Sequence, residues 1–328
     1  MREALAYQPH PQLEFDFSKF IVPRTSDGHA PSAKPFIKWA GGKGQLIPSL
    51  FANLPSDFDE TVSTYIEPFI GGGAFLFWLL SHGKRFRKVL INDANQALVN
   101  AYQVIRDNPE KLISLLNLIR NEYISLNIEE ERKLFYYRKR DAFNSGNDTP
   151  LQHAAHLIFL NRTCFNGLFR VNAKGKFNVP HGRYANPLIC DPDTIFADSQ
   201  ALSNVEIHCG DFSSVLADAD KDCFIYFDPP YRPVSETSSF CSYCKGGFDD
   251  DEQRRLAQCC HTLNAKGVRW LLSNSDPRGL CPDEDFFERL YQGFHIQRVQ
   301  ANRMLNAKAD RRGKLNELLI RNYCLTKS

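Results

Sequence analysis

Residues 64 to 93, TYIEPFIGGGAFLFWLLSHGKRFRKVLIND, run from a β-branched and aromatic segment through three consecutive glycines into an apolar helical stretch, then into a second strand-like run. Strand, glycine turn, helix and strand in so short a span form a βαβ unit, and such a unit requires parallel strands joined by a crossover. The alternation returns after residue 205. VEIHC and CFIYFD have strand character, Asp249 to about Leu263 has helical spacing, and VRWLLSN, GFHIQRVQ and ELLIRNYCL are late strands. Between these halves, residues 95 to 160 have apolar positions at helical spacing, and VNAKGKFNV has the composition of a hairpin. The expected architecture is therefore a parallel α/β sheet carrying an inserted helical and β-hairpin subdomain.

The composition, 43% hydrophobic and 24% charged in 328 residues, excludes a disordered chain, a fibre and a coiled coil. AFLFWLL, the longest strongly apolar run, is far short of the roughly 20 residues that cross a bilayer, so no membrane association is expected. The N-terminus lacks an apolar h-region, which points to a cytoplasmic protein. Ten irregularly spaced cysteines then read as free thiols. Cys241 and Cys244 have metal-like spacing, but the adjacent Cys259 and Cys260 are a poor second pair, and no metal is expected. Net charge is only +2, yet its distribution is uneven. From Asn161 to Tyr184 there are Arg162, Arg170, Lys174, Lys176 and Arg183 with no acidic residue, among aromatic side chains. This suits a nucleic-acid surface.

Two segments carry the chemistry. In EPFIGGG, glycines between a strand and a helix let the backbone turn tightly and a ligand approach the helix N-terminus. Asp93, twenty residues past Gly73 at the end of the next strand, stands where a ribose hydroxyl pair is bound in dinucleotide folds. A glycine turn serving only helix packing, or a nicotinamide site, fits this segment taken alone. WAGGKG is not a phosphate-binding loop, because Gly44 rather than Ser or Thr follows Lys43. The second segment is CFIYFDPPYRP at 223 to 233. Pro229 and Pro230 have no N–H, so the strand end offers the Asp228 carboxylate and backbone carbonyls but no donors at 229 and 230. An acceptor-rich strand end complements an amine that donates two hydrogen bonds, and Tyr231 supplies a face on which a base can stack.

FIKWAGGKGQLIP, EPFIGGGAF, INDANQALVNAY, LNRTCFNGLFRVNAKGKFNVPHGRY, YFDPPYRPVSETSSF and RRGKLNELL occur in one order from Lys34 to Tyr323. On these segments the chain resembles the Dam and DpnII type DNA adenine N6-methyltransferases, the D12 class, alpha group. The resemblance implies a Rossmann-like S-adenosylmethionine-dependent methyltransferase sheet. It divides the chain into a mobile arm at 1–33, a catalytic domain at 34–105 and 205–328, and a target-recognition insert at 106–204. Trp39, Lys43, Asp93 and Asp228 match cofactor contacts, with Glu67, Pro68, Phe69, Gly71 and Gly73 lining the same pocket. Asp228, Pro229, Pro230 and Tyr231 form the catalytic motif, the Asp228 carboxylate and Pro229 carbonyl holding adenine N6. Phe165 matches an aromatic wedge, and Asn166, Leu168, Arg170 and Pro180 match residues touching the bases of GATC, with Arg183 in the same basic stretch.

The partner so implied is double-stranded DNA, with a cognate restriction endonuclease the protein partner such an enzyme has when it serves in protection. Such enzymes act as a monomer or weak dimer on the nucleoid. Residues 232 to 248 are expected to form a flap over adenine and cofactor. Rival readings are cytosine N4 methylation, methylation of RNA or of a protein amide, a GATC-binding regulator without catalysis, and a nicotinamide oxidoreductase.

Overall fold

The computed structural model describes residues 32–39, 41–232, 248–279, 281–301 and 315–325. Nearly all of the expected arm, the expected flap with Cys241 and Cys244, and the RRGK segment at 311–314 lie outside these residues. The described strands are β1 (Thr64–Glu67), β2 (Lys88–Asp93), β3 (Val205–Cys209), β4 (Cys223–Phe227), β5 (Arg269–Ser275), β6 (His295–Ala301) and β7 (Leu315–Arg321). They form a seven-stranded sheet in the order β3-β2-β1-β4-β5-β7-β6. The first five strands are parallel, and β7 runs antiparallel to both β5 and β6. The sheet is thus mixed at one edge, where consecutive strands β6 and β7 pair directly.

Alternation along each strand sends neighbours to opposite faces. Tyr65, Phe224, Tyr226, Leu271 and Leu319 join one buried cluster. Ile66, Ile225, Phe227, Trp270, Leu272, Leu318 and Ile320 join the other. Strands covered on both faces have no polar alternation, which is why β4 is buried throughout.

The helices are α1 (Ile47–Ala52), α2 (Phe58–Thr61), α3 (Ala74–Ser81), α4 (Gln96–Asp107), α5 (Pro109–Ser125), α6 (Glu129–Ser145), α7 (Pro150–Thr163), α8 (Pro192–Leu202), α9 (Asp250–Ala265) and α10 (Phe286–Leu290). Their starts follow side-chain chemistry. Asn95 accepts from the Ala97 and Leu98 amides at the head of α4. Thr149 and Gln152 form a reciprocal capping box on α7. Such caps each contribute about 1 kcal/mol. Helix α7 is apolar around most of its circumference and packs on α4, α5 and α6. Its fully buried Phe159 contributes roughly 1.5–3 kcal/mol through burial. The same cluster contains Tyr65 and Ile91 of the sheet, so the inserted helices share a core with it.

Two local expectations need correction, and one helix is added. Strand β1 ends at Glu67 and not at Ile70, since Pro68 cannot donate to a ladder and the Ile70 amide turns to the Asn92 carbonyl (2.9 Å). The VNAKGKFNV segment is a tight turn with one bridge, Val171 to Phe177, rather than an extended hairpin. The Lys176 N–H, which the next rung would give to the Asn172 carbonyl, goes instead to Asn172 Oδ1 (3.1 Å), while Asn144 of α6 takes the outward-facing N–H and carbonyl of Phe177 (2.8 and 2.9 Å). Helix α8 lies in a stretch for which no element is expected from the sequence.

Candidate active site

Strand order reverses between β1 and β4, and open α/β sheets bind ligands in the crevice at such a switch point. The two motif segments, Glu67 to Gly73 and Asp228 to Tyr231, leave these two adjacent strands side by side. Gly71 and Gly73 adopt φ of +48° and +70°. A Cβ on Gly73 would stand 2.6 Å from the Tyr102 hydroxyl, and one on Gly71 would stand 3.0 Å from the Trp39 ring. The turn therefore needs glycine for both conformation and space. Tyr102 donates to the Gly71 carbonyl (3.0 Å), and Asn92 donates to the carbonyls of Pro68 and Gly210 (3.0 Å each), bracing the turns after β1 and β3.

Asp93 stands at the end of β2, where its Oδ2 accepts from the Gly71 N–H (3.1 Å) and its Oδ1 from the Asn95 N–H (2.9 Å). Burial raises its carboxyl, and these two amides partly offset that. Phe69 packs against Phe212 and Phe248 with ring centroids 5.2 and 5.3 Å away.

Asp228 terminates β4 with a side chain 21% exposed. Its Oδ1 accepts from Lys43 Nζ and from Ser273 Oγ, both at 2.8 Å, while Oδ2 takes no donor among the described residues. Lys43 is 6% exposed, donates also to the Gly41 carbonyl (2.7 Å), and lies 4.3 Å from the centre of the Tyr231 ring. The Tyr231 hydroxyl donates to Glu317 Oε2 (2.6 Å). Burial holds the Asp228 carboxyl above the ordinary carboxylate range, with Lys43 and Ser273 pulling it back. Glu67, 2% exposed, has an Oε2 with no partner among the described residues, and burial together with the nearby Asp228 pushes its carboxyl well up.

The proline carbonyls are not equivalent. Gln253 on α9 is fully buried and donates to the Pro230 carbonyl (3.1 Å), which withdraws Pro230 from the acceptors suggested by the sequence. Asn274 donates to Gln253 (3.1 Å) and accepts from the Arg232 N–H (3.3 Å), so the turn is held from beneath by two buried amides. Asp228 and the Pro229 carbonyl remain as the acceptor pair.

Phe165 to Gly167 form a short 3-10 turn directly after α7, with Asn166 and Gly167 at φ of +56° and +64°. Phe165 is 51% exposed, its N–H donating to the Pro180 carbonyl (2.9 Å). The Asn166 N–H donates to the Tyr184 hydroxyl (3.1 Å). Leu168 is half-buried, whereas Asn166, Arg170, Pro180 and Arg183 are exposed. Arg170 Nε donates to Asn178 Oδ1 (2.8 Å), and Arg183 makes an exposed ion pair with Glu129 (3.1 Å). The turn joins the crevice through Trp39, which stacks on Phe169 at 5.2 Å and 27°.

The crevice thus gathers Lys43, Glu67, Asp228, Pro229 and Tyr231, with Trp39, Phe69, Gly71, Gly73 and Asp93 along one wall. Ser273, Gln253, Asn274, Glu317 and Tyr102 were not foreseen. The polar triplet SNS closing the apolar run of β5 was a readable signal for the first and third. Two carboxyls destabilised by burial favour a ligand that brings positive charge or donated protons.

The family model for D12 class N6 adenine-specific DNA methyltransferases matches residues 39–305. The chain is 49% identical to type II methyltransferase M.MjaIII of Methanocaldococcus jannaschii, over 88% of this chain and 99% of that protein. It is 40% identical to type II methyltransferase M1.LlaDCHI of Lactococcus lactis subsp. cremoris, over 88% and 95% of the two chains. Identity to a DNA adenine methylase of Vibrio cholerae is 33%, over 87% and 95%. A match spanning both the sheet and the inserted helices cannot come from a shared nucleotide-binding fold alone, and the chain belongs to the D12 class of N6 adenine-specific DNA methyltransferases.

Proposed function

We propose that this DNA adenine methyltransferase takes its methyl group from S-adenosylmethionine and acts on adenine extruded from the duplex, within GATC. The observation that carries the reading is the Asp228 to Tyr231 turn, with one carboxylate oxygen unclaimed, the Pro229 carbonyl beside it and no backbone donor at 229 or 230. An exocyclic amine is a poor nucleophile because its lone pair is delocalised into the ring. Two acceptors that draw its protons out of the ring plane localise the pair and aim it.

The residues present fit the cofactor. A glycine cradle that a Cβ would fill, and a buried Glu67 oxygen without a partner, suit a cationic ligand held against the turn after β1. Trp39, Lys43, Glu67, Pro68, Phe69, Gly71, Gly73 and Asp93 would hold it. When bound, S-adenosylmethionine would supply a methyl group already activated on a sulfonium, the S–CH3 bond breaking to leave neutral S-adenosylhomocysteine as the N6–CH3 bond forms. Lys43 Nζ lies 4.3 Å from the centre of the Tyr231 ring, so the ammonium clears that face before a base can stack there, while Oδ2 of Asp228 stands open to the amine. Asp228 then accepts one N6 proton, which becomes acidic only as the new N–C bond forms, and Tyr231 stacks on the base. No covalent bond to the protein is required.

Adenine N6 is engaged in pairing inside a duplex, so the base has to leave the stack. Phe165, exposed at the tip of a rigid turn, would fill the gap. Arg170 would pair with guanine O6 and N7, a contact giving about 1–3 kcal/mol of discrimination. Asn166, Leu168, Pro180 and Arg183 complete the proposed reading surface, within a recognition unit at 106–204 set on the catalytic parts at 34–105 and 205–328. That two relatives are type II methyltransferases supports a role in restriction-modification, with a cognate endonuclease as partner.

Unmethylated plasmid incubated with the protein and S-adenosylmethionine, then challenged with an endonuclease blocked by N6-methyladenine in GATC, tests the reading. Cofactor-dependent protection is expected. Full cleavage, with methyl groups found at other adenines, would refute the GATC assignment and leave the chemistry standing.

A further inference from the structure

Asn161, on the last turn of α7, is 1% exposed and uses its whole amide. Its Oδ1 accepts from the Lys38 N–H (2.8 Å), and its Nδ2 donates to the Lys38 carbonyl (2.8 Å) and to the Gly167 carbonyl (3.0 Å). One side chain therefore grips both backbone groups of the residue before Trp39 and, at the same time, the last residue of the turn that carries Phe165 and Asn166. The two segments also touch without it. A Cβ on Gly167 would come within 2.5 Å of Lys38 Cδ, so the turn is pressed onto the Lys38 stem. Beyond Lys38 the connection continues in both directions, with Trp39 on the Phe169 ring on one side and against Gly71 and Gly72 on the other. Arg162, the next residue of α7, donates to the Phe36 carbonyl (2.7 Å) and fixes the start of the same strap.

A core asparagine that merely capped α7 would bond within its own helix. This one bonds a segment 123 positions away in the chain, and both of its N–H donors are used. Buried amides with every group satisfied specify one arrangement of what they join. Whatever orders the turn therefore also orders the strap at Lys38 and, beyond it, the indole that lines the glycine cradle.

We propose that Asn161 is a positioning residue coupling the DNA-reading turn to the cofactor wall, so that duplex and cofactor each tighten the binding of the other through it. The inference rests on the reading of residues 36–43 and 67–73 as cofactor wall and of 165–183 as DNA surface. Because linkage is reciprocal, one coupling factor describes both directions.

The test measures binding of S-adenosylhomocysteine, which cannot react, by the full chain with and without a duplex containing one GATC. It also measures binding of that duplex with and without S-adenosylhomocysteine. Wild type is expected to show an equal factor in both directions, on the order of tenfold. In Asn161→Ala that factor falls below about twofold, while each ligand alone binds within about threefold of wild type. A purely structural role would weaken both ligands and lower the melting temperature while leaving the factor unchanged. Phe169→Leu, which removes the stacked ring and leaves the buried amide in place, gives the same readout if Asn161→Ala does not fold, and is expected to lose about half of the coupling on a logarithmic scale. Coupling retained at the wild-type value in a folded Asn161→Ala, or in Phe169→Leu where only that variant folds, overturns the inference alone, as does a wild type that binds both ligands independently. A wild type that binds neither ligand removes the underlying reading and the inference with it.

Discussion

The crevice at the strand ends and the turn after α7 solve opposite problems with the same materials. At the crevice the polar groups are fixed by near neighbours in the sheet. Ser273 and Lys43 hold one oxygen of Asp228, and Gln253 holds Pro230, so that little beyond the proposed acceptor pair is left to offer. At the turn it is the backbone that is fixed, through Asn161 and the Pro180 carbonyl, while Phe165, Asn166 and Arg170 stand exposed. Chemistry on an amine needs acceptors that do not move. Reading a duplex needs side chains that can reach, on a backbone that does not move.

The largest expected effect separates the two regions. Asp228→Asn keeps the shape but replaces half of the acceptor with a donor and removes the charge facing Lys43. Single-turnover methyl transfer is expected to fall by at least roughly 10²- to 10³-fold, the scale on which one positioned electrostatic group acts in other enzymes. Duplex affinity should stay within about threefold, because Asp228 belongs to the crevice and not to the turn. A tenfold or smaller loss of transfer would mean that Asp228 is not the acceptor that matters.

Asp198 on α8 gives the next effect, and it acts on stability. It is fully buried, accepts from the Lys34 N–H (2.9 Å) through Oδ1, and has no partner for Oδ2 among the described residues. Burial pushes its carboxyl up to about 8. The folded protein then holds a proton that the unfolded chain, with an ordinary carboxyl near 4, has released. The stability it contributes is fully present below about pH 4 and is lost as pH rises to about 8. In Asp198→Asn this dependence disappears, and the variant gains roughly 2–4 kcal/mol on wild type between pH 5 and pH 8 in urea unfolding curves. Parallel curves for the two proteins would show that Asp198 is ionised in the fold at neutral pH.

How far the residues disclose these regions follows from the range of the interactions. The βαβ unit, the run of β4 and the acceptor character of Asp-Pro-Pro-Tyr are local properties, and each is found where periodicity and proline chemistry put it. Asp93 at the end of β2 is likewise where expected, although two backbone amides already claim it. Gln253 and Asn274 escaped notice because a glutamine within DDEQRRLA and an asparagine ending a strand look like ordinary polar residues. They become part of the turn only when α9 and β5 pack beneath it. Asn161 lay in a segment read for its basic charge, and its partner at Lys38 is brought near by the whole inserted bundle. The one-bridge turn at Val171 is a different case, since the N–H that would extend the ladder is taken within the turn itself by the Asn172 side chain.

Gly73→Ala tests whether the cradle is as tightly determined as the acceptor turn. The substitution forces a side chain onto φ of +70° and places its Cβ 2.6 Å from the Tyr102 hydroxyl. Together these are expected to cost about 1–3 kcal/mol of stability and to weaken S-adenosylmethionine binding. Because the Tyr102 hydroxyl also holds the Gly71 carbonyl, the contact is isolated by making Gly73→Ala in a Tyr102→Phe background, where it should cost less than in wild type. An equal cost in the two backgrounds would assign the whole effect to φ.

The smallest effects sharpen the account of the turn. Arg170 presents its Nε edge to Asn178 (2.8 Å), which orients the guanidinium and leaves the other edge for a guanine. Arg170→Lys removes the planar fork while keeping the charge, so non-specific DNA binding and its salt dependence should change little. Preference for GATC over a site altered at the first guanine should fall by about 1–3 kcal/mol. Asn178→Ala leaves the fork intact but unheld. It should cost only about 0.5–1.5 kcal/mol of that same preference, the scale of one hydrogen bond, with cofactor affinity unchanged. If Asn178→Ala cost as much as Arg170→Lys, orientation rather than the fork would carry the discrimination, and the exposed side chains of the turn would be as dependent on fixed neighbours as the acceptors of the crevice.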